Sequence, residues 1–142
     1  PRPDYFNSVL FQRLMGTIVL HASADTSSMA QADDFPAEYL RTYAHCTAGK
    51  NGSVTVLAIN LHAGEPAPLL FPGLGERVEG YLLTADSLTA TTMYLNGQPL
   101  RDDGQGVLPS LAAQEMKAPV TLPPRSYGFF VLPDAKFAPC GG

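Results

Sequence analysis

The sequence predicts an antiparallel β-sandwich of about eight short strands with one helix ahead of it, and three observations carry the prediction. Gly and Pro occur 13 times each in 142 residues, so turns are frequent and helical runs few. Short stretches rich in Val, Thr, Ile, Tyr and Phe recur between those turns, as a half-buried pleated surface requires. The longest of them, at 53–62, is apolar on both of its period-two faces. Val54, Val56 and Ala58 point one way; Thr55, Leu57, Ile59 and Leu61 point the other. Such a strand lies at the centre of a sheet that is covered front and back. One cover is a partner sheet. The other face needs a cover that must come from somewhere else.

Composition bounds the rest. With 45% hydrophobic and 15% charged residues, the chain is globular and long enough for one core. A net charge of -4 and a pI near 5.2 argue against nucleic acid as a partner, which would need clustered Lys and Arg. No apolar run is long enough to span a bilayer. The opening Pro1-Arg2-Pro3 reads as a cut or a linker, so a longer parent protein is expected.

Taken in order, residues 4–16 form the one good helix, with Asp4 placed to cap it and Gly16 to close it. Its apolar residues, Tyr5, Phe6, Val9, Leu10, Phe11, Leu14 and Met15, cover more than half of its circumference, so it expects neighbours on two sides. A first strand follows at 17–22 and a polar, acidic loop at 23–36. The strand at 39–47 sets Leu40, Thr42, Ala44 and Cys46 against Tyr39, Arg41, Tyr43 and His45. Residues 48–52 turn it back into the central strand. Weaker strands are read at 68–71 and 78–84. Asn96-Gly97 makes a hairpin between 93–95 and 98–100, and 101–106 is a turn. A proline-bounded strand occupies 118–122, and 127–132 is again apolar on both faces.

Candidate chemistry is sparse. A retaining glycosidase needs two carboxylates about 5–5.5 Å apart. The nearest pairs are Asp33-Asp34 and Asp102-Asp103, both in turn composition, where solvated turn formers are the plainer reading. His21, His45 and His62 show no metal-ligand spacing, so neither a metal nor a cofactor is expected. Cys46 and Cys140, the only thiols, permit one bridge. Asn51-Gly52-Ser53 is the single Asn-x-Ser/Thr sequon. It lies on a turn tip, where either a glycan or a plain Asn-Gly turn fits.

Several motifs in fixed order resemble a known family. They are Pro3-Asp4-Tyr5, the run at 10–17 (Leu-Phe-Gln-Arg-Leu-Met-Gly-Thr), and Tyr43-Ala44-His45-Cys46-Thr47. Ala58-Ile59-Asn60-Leu61-His62, Tyr81-Leu82-Leu83, Leu95-Asn96-Gly97, Leu108-Pro109 and Ser126-Tyr127-Gly128-Phe129-Phe130-Val131 complete the set. Together they resemble the C-terminal part of heparanases, glycoside hydrolase family 79. The resemblance implies a (β/α)8 barrel followed by a β-sandwich, acting as a retaining endo-β-glucuronidase on heparan sulfate. It implies that residues 1–16 are the last helix of the preceding catalytic barrel and 17–142 the sandwich, with no catalytic residue in this segment. The same resemblance implies a Cys46–Cys140 disulfide, a secreted or lysosomal location, and a sandwich that borrows a strand from elsewhere in the parent. The partner it implies is the parent's own barrel, which would bind most of the heparan sulfate. Tyr5, Phe6, Leu10 and Leu14 are then expected at the barrel interface, with Leu57 and Ile59 or Val54 and Val56 on the sheet side. The acidic loop at 23–36 departs from the basic character expected of mammalian members, which weakens any case for polyanion binding there. Hyaluronan or smaller β-glucuronides are alternative substrates within the family. Outside it, the alternatives are a free-standing carbohydrate-binding module or an adhesion sandwich; the absence of Trp favours neither.

Overall fold

A computed structural model describes residues 3–24, 37–87, 90, 92–100 and 110–142. The helix α1 (Pro3–Leu14) runs straight into β1 (Met15–Leu20). Then come β2 (Leu40–Thr47), β3 (Val54–Asn60), β4 (Ala67–Leu69), β5 (Arg77–Ala85) and β6 (Met93–Leu95). The remaining strands are β7 (Gln98–Pro99), β8 (Gln114–Lys117), β9 (Val120–Leu122) and β10 (Ser126–Leu132). Short 3-10 turns at Ala37–Tyr39 and Ala138–Cys140 lead into β2 and follow β10.

Among the described residues the chain is mainly β, an antiparallel sandwich with one α-helix. The main sheet has eight strands in the order β1-β2-β3-β10-β5-β6-β7, with β8 also on β5, and a two-stranded sheet pairs β4 with β9. As its two apolar faces require, β3 is central, between β2 and β10. The β5 strand changes partner midway: residues 77–80 pair with β8 and residues 83–85 with β6. Asn96 bridges the change. Its side chain donates to the Gly80 carbonyl at 3.0 Å and accepts from the Leu82 N–H at 2.9 Å. Asn96 and Gly97 both have positive φ, 50° and 83°, the hairpin geometry that Asn-Gly favours.

Strand alternation divides the core in two. Leu40, Ala44, Cys46, Val54, Val56, Ala58, Val78, Phe130 and Leu132 of the main sheet pack with Leu69, Val120 and Leu122 of the β4–β9 layer. Leu57, Leu83, Leu95, Phe129 and Val131 face the other way, onto Phe6, Leu10 and Leu14 of α1. The second cover therefore comes from the chain's own helix.

Three local readings change. The helix starts at Pro3, a residue suited to a first turn because it lacks an N–H, so Asp4 lies inside the helix. Gly16 lies in β1 and does not cap α1. A Cβ there would sit 2.4 Å from the Cys46 carbonyl oxygen, so close approach of two backbones demands glycine. The strand β8 has no apolar alternation, and its Gln-Glu-Met-Lys sequence gave no signal; backbone pairing with β5 makes it a strand.

Candidate functional site

The residues expected at a barrel interface divide. Phe6, Leu10 and Leu14 are buried against this chain's own sheet, Leu10 completely. Tyr5 is 42% exposed, on a helix that also turns Phe11 outward. Tyr39 and Tyr43, before and on β2, and Leu61, just after β3, add further half-exposed apolar surface, and Ile18 and Val19 are open on the edge strand β1. Phe11 meets the His45 ring edge-on at 5.6 Å. The Nδ1 of His45 lies 2.7 Å from the Gly16 carbonyl, which can only accept, so Nδ1 carries the proton.

A buried hydroxyl cluster seats α1. The Thr55 hydroxyl donates to the Leu14 carbonyl at 3.1 Å, and the Ala48 N–H reaches the same oxygen at 3.2 Å. The Ser53 hydroxyl donates to the Leu132 carbonyl at 3.3 Å. Thr47 Oγ1 lies 2.7 Å from Ser53 Oγ and 2.8 Å from Thr55 Oγ1 and can donate to one at a time. Thr55 and Ala48 thus satisfy the last carbonyl of the helix, where a glycine cap was expected.

The opposite face is less complete. Beside β4 lies an apolar groove of about 590 Å³, lined by Leu40, Ala44, Val54, Val56, Leu69 and Leu74 among others, with His21 also in its wall. Of the two sheet-side sets, Val54 and Val56 thus belong to the groove, and Leu57 and Ile59 to the α1 side. At one end of this face Cys46 and Cys140 form a disulfide with a Cα–Cα distance of 5.4 Å. Asn51 is exposed on the adjoining β2–β3 turn.

His62 stabilises a turn: its Nδ1 accepts from the Gly64 and Glu65 N–H groups, both at 3.0 Å. Its neighbour Asn60 is buried. The Asn60 amide donates to the carbonyls of Glu65, Leu122 and Pro123 at 2.9, 3.1 and 3.2 Å, joining the main sheet to the small one.

Asp33, Asp34, Asp102 and Asp103 lie outside the described residues. Among the described carboxylates, Glu79, Glu115 and Asp134 surround Arg77 at 3.5, 3.1 and 3.6 Å, and Glu79 also meets Lys50 at 3.1 Å. The hydrogen bonds and charge of Glu115 hold the Arg77 guanidinium above its ordinary range. Burial pushes the Tyr81 phenol up, and the charge of Glu79 adds to it. Glu76 pairs with Lys117 at 3.4 Å, and Asp86 accepts from the Tyr94 hydroxyl at 2.9 Å. Sequence reading missed the Arg77 cluster. Arg77 and Glu79 share a strand face by period-two spacing, but Glu115 stands on the strand that carried no signal.

No family model matches the chain. Heparanase of Bos taurus is 34% identical over 151 residues, which covers 99% of this chain and 26% of that protein. Inactive heparanase-2 of Homo sapiens is 35% identical over 152 residues, covering 99% and 26%. Hyaluronoglucuronidase of Hirudo nipponia is 30% identical over 151 residues, covering 99% and 29%. The chain spans between a quarter and a third of the length of these relatives. Along nearly all of its length, it is a homologue of one segment of the heparanases.

Proposed function

We propose that this chain is the non-catalytic C-terminal segment of a secreted or lysosomal heparanase-like endo-β-glucuronidase, and that it completes and stabilises the catalytic barrel. The observation that carries the reading is the near-equal match to a heparanase, at 34%, and to an inactive heparanase-2, at 35%, each over 99% of the chain. A segment held in common by active and inactive relatives is a poor place for the residues that separate them. Glu79, Glu115 and Asp134 support the same reading, because the Arg77 cluster spends them on surface ion pairs rather than across a cleft. The outward Tyr5, Phe11, Tyr39 and Tyr43 supply an apolar surface on which a barrel can seat. The groove beside β4 has room for a strand contributed by the parent. A disulfide suits an oxidising compartment.

The similarity to a hyaluronoglucuronidase favours hyaluronan as the second substrate to test. The assay is turnover of labelled heparan sulfate, hyaluronan and a fluorogenic glucuronide by the full-length parent and by this segment alone. The parent should act on one of them, and the segment on none. Cleavage by the purified segment would overturn the accessory role. A folded parent inactive on all three would overturn the glucuronidase reading.

A further inference from the structure

We infer that Asn51 is an N-glycosylation site that is open only while residues 137–142 are undocked, so its occupancy is set by a race against closure of the Cys46–Cys140 bridge. The Asn51 side chain is exposed, but the rest of its sequon is not. Ser53 is 1% exposed, and its hydroxyl is held by Thr47 and the Leu132 carbonyl. The Gly52 N–H donates to the Cys140 carbonyl at 2.7 Å, and the Gly52 carbonyl accepts from the Phe137 N–H at 2.9 Å. A Cβ built on Gly52 would lie 3.0 Å from the Gly142 Cα, so that segment lies directly over the turn. The acceptor signal is the whole Asn-x-Ser sequence on a surface loop, so Gly52 and Ser53 must be within reach as well as Asn51. In the folded chain each is already committed to residues of β2, β10 or the 137–142 segment. The two cysteines are 94 residues apart, so the sequon is made long before its cover.

In the reaction, the Asn51 amide nitrogen attacks the anomeric carbon of a lipid-diphosphate-linked oligosaccharide. The N–C bond forms and the C–O bond to the diphosphate breaks. The lipid diphosphate leaves with the bonding pair, the amide proton passes to a base of the transferase, and nothing is oxidised or reduced.

In nature this rests on the proposed secretory route. Supplying a secretion signal to the full-length parent in mammalian cells removes that dependence, and secretion of the untagged parent is scored separately. Occupancy is read on pulse-labelled protein from whole lysate by glycosidase shift and peptide mapping, with Asn51→Gln marking the band. The wild type should be partly occupied. Dithiothreitol during the pulse, Cys46→Ser or Cys140→Ser should each raise occupancy at least twofold. Because the reductant arm uses the wild-type chain, a misfolded variant does not decide the result. A second readout offers microsomal transferase the purified oxidised parent and the same protein reduced and unfolded; only the unfolded form should accept glycan. Asn51 unmodified throughout, occupancy indifferent to reductant, or equal transfer to folded and unfolded protein would each overturn the inference.

Discussion

The two faces of the main sheet are closed by different means. On one, a 12-residue helix lays Phe6, Leu10 and Leu14 over Leu57, Phe129 and Val131, and its last carbonyl is bonded to a buried threonine. On the other, two strands of three residues each leave a groove of about 590 Å³, and the disulfide lies on that side. A helix satisfies its own backbone and can form a cover by itself. A two-stranded ribbon is marginal alone and relies on what ties it down. Here the tie is the Asn60 amide, at the end of β3, which donates to the Leu122 carbonyl at the end of β9; the Cys46–Cys140 bridge fastens the last residues of the chain to β2 on the same face.

The comparison can be broken most directly at Leu10. Replacing it with Asp puts a charge where no surface is exposed, and should cost more than about 4 kcal/mol, leaving the chain unfolded by chemical denaturation and the parent poorly produced. Reduction of Cys46–Cys140 should cost about 2–5 kcal/mol, read as a lower denaturant midpoint; a midpoint that does not move would show that docking of the last residues on β2 does not depend on the bridge. Matched truncations sharpen the contrast. Leu10→Ala should cost about 3–5 kcal/mol, and Leu69→Ala, in the groove wall, only about 1–2, because water can enter there and no closed cavity is left. Equal costs would mean that the two covers are equally tight.

The smallest effect belongs to Tyr81, on the α1 side. Its folded pKa is raised, so its contribution to stability is complete below the unfolded value near ~10 and is lost as pH rises through the folded one. Tyr81→Phe should flatten the alkaline fall in melting temperature above about pH 10. An unchanged slope would show that the phenol is already hydrated.

Much of the architecture was readable because it rests on period-two alternation. The run at 53–62, apolar on both faces, marked the central strand, and 127–132 showed the same two apolar faces. Asn96-Gly97 marked its hairpin through the positive φ that those residues tolerate. What failed to show was decided by contacts distant in sequence. Gly16 carries a helix-ending signature, yet its role is set by the Cys46 carbonyl opposite. Thr47, Ser53 and Thr55 look like ordinary strand residues, and only folding gathers them under Leu14. That α1 covers this sheet was also hidden, since an apolar helix face does not name its partner. The pairing of Cys46 with Cys140 was implied by resemblance, while the residues alone only permitted it.

The direct passage from Leu14 into Met15 has a mechanical consequence. With no slack between helix and edge strand, and with Leu14 tied to Thr55 and Ala48, a push on α1 is delivered to the sheet without lost travel. The joint behaves as a welded bracket and not as a pin. The boundary drawn between residues 16 and 17 falls inside β1, at the register irregularity that separates the Met15–Thr47 pair from the Val19–His45 pair. The helix is held to the sheet at Leu14 and Met15, and torque applied to it reaches the sheet through those two residues.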